Sequence, residues 1–165
     1  MLVSFSPIAA NGMNQNNSDT IVQTIDTVTV DTVTVQRDSV CENETDDWNM
    51  LVKAIAFVES GYRERAISKG GGSVGYLQIT KVCVRECNNI LRRNGSRKKY
   101  TYNDRYNKNK SIEMFNIYQN KFNPNHNLEK AARIWNGGPG YKTKSTNNYW
   151  KKVYAKYKKL KSNSI

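Results

Sequence analysis

The sequence predicts a mainly α domain with a small irregular or short-strand lobe, preceded by an extended N-terminal tether. Three observations predict it. Between residues 47 and 162, apolar residues recur at three- and four-residue spacing in several separate stretches. Residues 66–79 interrupt them, lack that period and carry Gly70-Gly71-Gly72-Ser73 and Gly75. Residues 12–46 are rich in Asn, Asp, Thr and Val and contain no aromatic residue.

Residues 1–11 look like the second half of a secretory signal. A short apolar run ends in small residues suited to cleavage near Ala9 or Ala10, but the basic leading segment is missing. A start codon assigned too late explains this, and the reading implies export to the periplasm or cell envelope; an ordinary N-terminus is the alternative. In the tether, Asp26-Thr27-Val28-Thr29-Val30 repeats directly as Asp31-Thr32-Val33-Thr34-Val35. A five-residue repeat turns alternate copies to opposite faces of a strand, so the segment reads as a tether rather than as sheet. Its Asp–hydroxyl–aliphatic triplets, at Thr20, Thr27, Thr32 and Ser39, are similar to the acceptor sites of bacterial O-glycosylation.

The first predicted helix ends at Ser60-Gly61, with Thr45, Asp46 and Asp47 as candidate N-caps. Trp48, Leu51, Val52, Ile55 and Glu59 share one face, and Met50, Ala54, Phe57 and Val58 cover much of the rest. A helix apolar on most sides is the buried centre of its domain. A carboxylate in its last turn loses hydration and faces the negative end of the helix dipole. Both effects raise its pKa toward the range of a general acid.

Further helices are predicted over 80–91, 111–122, 128–135 and 149–160, with Asn127 as a cap and Asn94-Gly95 and Asn123-Pro124-Asn125 as breaks. Residues 97–109 read as a loop in which Tyr100, Tyr102 and Tyr106 alternate with bases. Those tyrosines either stack on sugar faces in a groove or pack the loop onto the body. On the last helix, Tyr149, Val153, Tyr157 and Leu160 form the inner stripe and the lysines a solvated face.

Charge divides the chain. Residues 1–47 hold eight acids and one base, whereas 48–165 hold 25 bases and six acids, a formal +19. Such a domain seeks polyanions, nucleic acid and peptidoglycan fitting equally well by charge alone. His126 is the only histidine, which argues against a metal site and against Ser–His or Cys–His nucleophilic catalysis. Cys83 and Cys87 are four apart on one predicted helix, poor geometry for a mutual disulfide, whereas Cys41 could bridge to one of them in an oxidising compartment.

Glu59-Ser60, Ala66-Ile67-Ser68, Gly70 to Gly72, Gly75-Tyr76-Leu77-Gln78-Ile79 and Trp135-Asn136-Gly137-Gly138-Pro139-Gly140 follow in that order. Together they resemble the transglycosylase SLT family, lysozyme-like enzymes that cut peptidoglycan, over roughly residues 47–155. A lone glutamate at a helix end reads as a solvated carboxylate or a partner of Arg63 or Arg65; the motifs after Glu59 favour the acid. The resemblance implies that Glu59 is the single catalytic acid and base, and that substrate contacts fall on Ser68, Gln78 and Trp135, with Gly75, Tyr76 and Asn136 in the same motifs. It implies a lytic reaction between N-acetylmuramic acid and N-acetylglucosamine, in which the C6 hydroxyl of the muramic sugar closes a 1,6-anhydro ring. It also implies a monomer that acts on glycan strands without cofactor, metal, nucleic acid or membrane span.

Two departures stand out. Glu59 to Gln78 is one residue longer than the family spacing, which assigns one of Gly70 to Gly72 to an insertion. Trp135 replaces the family tyrosine whose hydroxyl orients the acid, and an indole offers only an N–H donor. Hydrolysis by a goose-type muramidase and a non-catalytic basic binding module are the alternatives in other classes. None of the acids Glu64, Glu86, Asp104, Glu113 or Glu129 falls on a catalytic position of the motifs.

Overall fold

The computed structural model describes residues 38–164, with side chains from Thr45 onward. The signal segment, the repeat and the glycosylation triplets at Thr20, Thr27 and Thr32 lie outside the described residues. Five helices and one two-stranded ribbon make up the rest: α1 (Asp38–Ser60), β1 (Ser73–Val74), β2 (Ile79–Thr80), α2 (Lys81–Arg93), α3 (Lys108–Phe122), α4 (Leu128–Gly137) and α5 (Thr143–Ser162).

Helix α1 starts at Asp38, two turns before the expected caps at Thr45 to Asp47 and inside the stretch assigned to the tether. Gly61 ends the helix at φ +60°, its N–H donating to the Phe57 carbonyl at 3.0 Å. Leu51, Ala54, Ile55 and Ala56 are fully buried, so α1 is the central helix, packed on α5 and α4. Phe57, read among the apolar residues that cover the rest of the helix, is 46% exposed and lies under the Lys156 ammonium, 3.9 Å from its ring centre.

The lobe is small. β1 and β2 pair antiparallel, Ser73 with Thr80 and Val74 with Ile79, and Ile67 forms a bridge to Val74. Thr80 then caps α2 by accepting the Cys83 N–H at 3.1 Å. Residues 97–109 are not wholly loop: Tyr102–Tyr106 form a 3₁₀ turn closed by reciprocal Thr101 and Asp104 hydrogen bonds. Asn107 and Asn127 cap α3 and α4. Helix α5 starts six residues before the expected 149. Its first turn is held by the buried Arg133, whose guanidinium donates to the Thr143 carbonyl (2.9 Å) and the Thr146 hydroxyl (3.0 Å). Such a long-range anchor has no local sequence pattern.

Candidate active site

Glu59 stands in the last turn of α1, half-buried. The Tyr149 hydroxyl, from the second turn of α5, donates to Glu59 Oε1 at 2.6 Å. Burial raises the Glu59 pKa above its ordinary value, and the tyrosine bond opposes this in part by favouring the carboxylate. Burial and the neighbouring carboxylate in turn hold the Tyr149 phenol well above its ordinary range, so it stays a donor. With Oε1 occupied, Oε2 is the atom left to carry a proton to a bound molecule.

Glu59 faces a cleft of about 650 Å³. The lobe contributes Ser73, Gln78 and Thr80; α2 contributes Val82, Cys83 and Glu86; Tyr118, Trp135, Asn136 and Pro139 close it from α3 and the end of α4. Gln78 sits at φ +51° and spends its amide nitrogen on the lobe, donating to the carbonyls of Gly75 (3.0 Å) and Ala66 (3.2 Å). Its Oε1 has only a long bond, 3.4 Å, from the Ser73 hydroxyl, and so retains capacity for a donor in the cleft. The Trp135 indole N–H donates to the Leu77 carbonyl at 3.2 Å, and its ring packs edge-on against Phe115 with centroids 4.9 Å apart. It is thereby a fixed wall rather than a partner of Glu59.

Of the residues singled out in sequence, the fold brings Glu59, Gln78, Trp135 and Asn136 to this cleft. Ser68, Gly75 and Tyr76 do not line it. The Ser68 hydroxyl accepts the Ser73 N–H at 3.1 Å inside the lobe. Gly75 adopts a positive φ, +83°, and the backbone that approaches it closely is the Arg105 carbonyl. Tyr76 is 5% exposed; its carbonyl accepts the Ser60 hydroxyl at 2.8 Å, which ties the lobe to the end of α1. That bond gives the serine after Glu59 its role.

Sequence reading missed Tyr149 as the partner of Glu59 and set Glu86 aside as an acid outside the motifs. Tyr149 lies 90 residues from Glu59 and falls on the apolar stripe of α5, where a tyrosine reads as core. Glu86 shares a helix face with Val82 and Cys83, and only the knowledge that this face borders the cleft marks it out.

The sequence model of the transglycosylase SLT domain matches residues 40–158. The chain belongs to the transglycosylase SLT family. No curated protein and no solved structure matches it. In this SLT domain the Trp135 indole is spent on Leu77, and the hydroxyl that reaches the Glu59 carboxylate comes from Tyr149 on another helix. Tyr149→Phe is expected to cut turnover by on the order of ten- to a hundredfold, the equivalent of one hydrogen bond to a charged group. Removing a donor to the carboxylate also raises the Glu59 pKa further, so the alkaline limb of the kcat/KM profile should move to higher pH. A profile unchanged in both height and position would show that the bond does not orient the acid.

Proposed function

We propose that this SLT domain is a peptidoglycan lytic transglycosylase, cleaving the β-1,4 bond between N-acetylmuramic acid and N-acetylglucosamine. The observation that carries the reading is the half-buried Glu59, its pKa raised, held by Tyr149 at the wall of a cleft of about 650 Å³. A carboxylic acid whose pKa burial raises holds its proton to higher pH than an exposed one, and it gives that proton to the glycosidic oxygen as the bond breaks. The resulting carboxylate takes the proton of the C6 hydroxyl, which attacks C1 of the same muramic ring; proximity replaces an external water. Gln78 Oε1 suits an acetamido N–H, Trp135 a sugar face, and Asn136 the rim, while Ser68, Gly75 and Tyr76 support the lobe that presents Gln78. Such an enzyme works on the outer side of the cytoplasmic membrane, so the reading includes export, which mass analysis of the processed N-terminus would test.

One observation favours hydrolysis instead. Glu86 places a second carboxylate on the same cleft, and two carboxylates are what an inverting hydrolase uses to activate water. Mass analysis of muropeptides released from purified sacculi separates the two. Anhydro-muramic ends, one water lighter than reducing ends, are the expected main product for the chain, and Glu86→Gln should leave that product dominant. Reducing ends that disappear in Glu86→Gln would establish the muramidase reading.

A further inference from the structure

A second groove, of about 760 Å³, runs beside the cleft between α2 and residues 96–102. Its lining includes Arg85, Arg92, Arg97, Lys98 and Lys99 and no acid. Among the described residues, the carboxylate of Glu113 engages Lys98 at 2.7 Å, whereas Arg85, Arg97 and Lys99 form no ion pair. All three are exposed.

The groove is built rather than loose. The Asn88 side chain clamps the backbone of Tyr100 from both sides, donating to its carbonyl and accepting its N–H, each at 2.8 Å. Tyr100 is 3% exposed, and its hydroxyl donates to Glu113 at 2.7 Å. A buried tyrosine and a two-way amide clamp thus hold a run of three bases against α2. They also divide the tyrosines that the sequence left ambiguous. Tyr100 packs the loop onto the body, while Tyr102, 41% exposed, lines the groove with Lys81 and Arg105 near its ring.

Helix α2 is shared by both concavities. Val82 and Glu86 line the cleft, and Arg85 and Asn89 line the groove. At 3.6 residues per turn these two sets lie on adjoining faces, less than a third of a turn apart. A chain that leaves the cleft across α2 therefore enters the basic groove directly.

We infer that this groove binds the carboxylates of the stem peptides carried by the glycan strand, so that the domain selects peptide-bearing over peptide-free stretches. The inference rests on the peptidoglycan reading of the cleft. Sugars of the strand are neutral, and the anionic groups hang from the lactyl ethers of its muramic residues, a peptide's reach to the side of the backbone. A side groove of unpaired guanidinium and ammonium groups matches that placement, and arginine forks match carboxylates two oxygens at a time. A wall phosphate polymer or single-stranded nucleic acid offers the same sign of charge without the link to the cleft.

The experiment measures binding of full-length Glu59→Gln chain, which leaves substrate uncut, to two polymers: purified glycan strands with stem peptides and the same strands stripped by an amidase. Single-stranded DNA is the third probe. Peptide-bearing strands should bind more tightly than stripped ones at low salt. Adding Arg85→Ala, Arg97→Ala and Lys99→Ala should remove on the order of tenfold in that preference, the sum of three exposed charge contacts. The preference should also shrink at 0.1 M salt, where exposed charges are screened beyond about 10 Å. A preference that survives the three substitutions overturns the proposal. So does a loss that falls equally on stripped strands or falls on DNA alone. Cleavage by the unsubstituted chain, followed in parallel, reports on the cleft separately: no cleavage with a groove-dependent preference would refute the enzyme reading and leave peptide recognition standing.

Discussion

Glu59→Gln should abolish glycan cleavage and stabilise the fold at neutral pH. The two effects share one cause. Burial in the last turn of α1 raises the Glu59 pKa above its unfolded value, so the folded chain holds the proton more tightly than the unfolded chain does. Stability from this group is therefore complete below the ordinary glutamate value of 4.5 and is lost as pH rises through the folded pKa. Glutamine is nearly isosteric with the protonated acid and never ionises, and its amide oxygen can still accept the Tyr149 hydroxyl. The melting temperature of the variant should exceed that of the parent near pH 7, and the difference should vanish below pH 4.5. Activity should fall by about 10²–10⁴-fold or more, the range for loss of a positioned acid and base. Thermal unfolding at several pH values and muropeptide release together check it. Retained cleavage would remove Glu59 from the mechanism; a stability difference independent of pH would show that the carboxylate is not strained by burial.

What was legible in the sequence was the part written in local pattern. The apolar period from Trp48 to Glu59, the cap Asn127 and the glycine stop at Gly61 placed the helices and put Glu59 at the end of the central one. Motif order supplied the family. Illegible parts were set by contacts between distant residues. Helix α5 begins at Thr143 because Arg133 holds its first turn, and Tyr149 reaches Glu59 because α5 packs on α1. The same cause explains the divided fate of the lobe motif. Its period predicted neither that Gln78 would face the cleft nor that Tyr76, two residues earlier, would turn into the core. Positive φ at Gly75 and Gln78 breaks any strand alternation between them.

The other large effect should come from Gly75→Ala. At φ +83° an added side chain is strained in itself, and here it also has nowhere to go: its Cβ would lie 1.8 Å from the Arg105 carbonyl oxygen. That oxygen cannot retreat cheaply. It accepts the Ser111 hydroxyl at 3.0 Å, and the buried Arg105 side chain ties the same turn to the Tyr102 carbonyl at 2.7 Å and to β2 through the Ile79 carbonyl at 3.3 Å. Gly75 is held from its own side too, its N–H donating to Ala66 at 2.8 Å and its carbonyl accepting from the Gln78 amide at 3.0 Å. Relief must come from moving the lobe, and the lobe carries Ser73 and Gln78 into the cleft. Overpacking and backbone strain together should cost about 3 kcal/mol or more. Gly71→Ala is the matched control, because φ is +68° there and nothing lies within 4 Å of the added carbon. It should cost only about 1–2 kcal/mol, the backbone contribution alone. Denaturant unfolding of both variants, with cleavage measured on whatever fraction of Gly75→Ala folds, gives the comparison. If the two substitutions proved equally mild, the turn of the lobe would be free to shift away from Arg105, and the lobe would not be the rigid platform on which Gln78 meets the cleft.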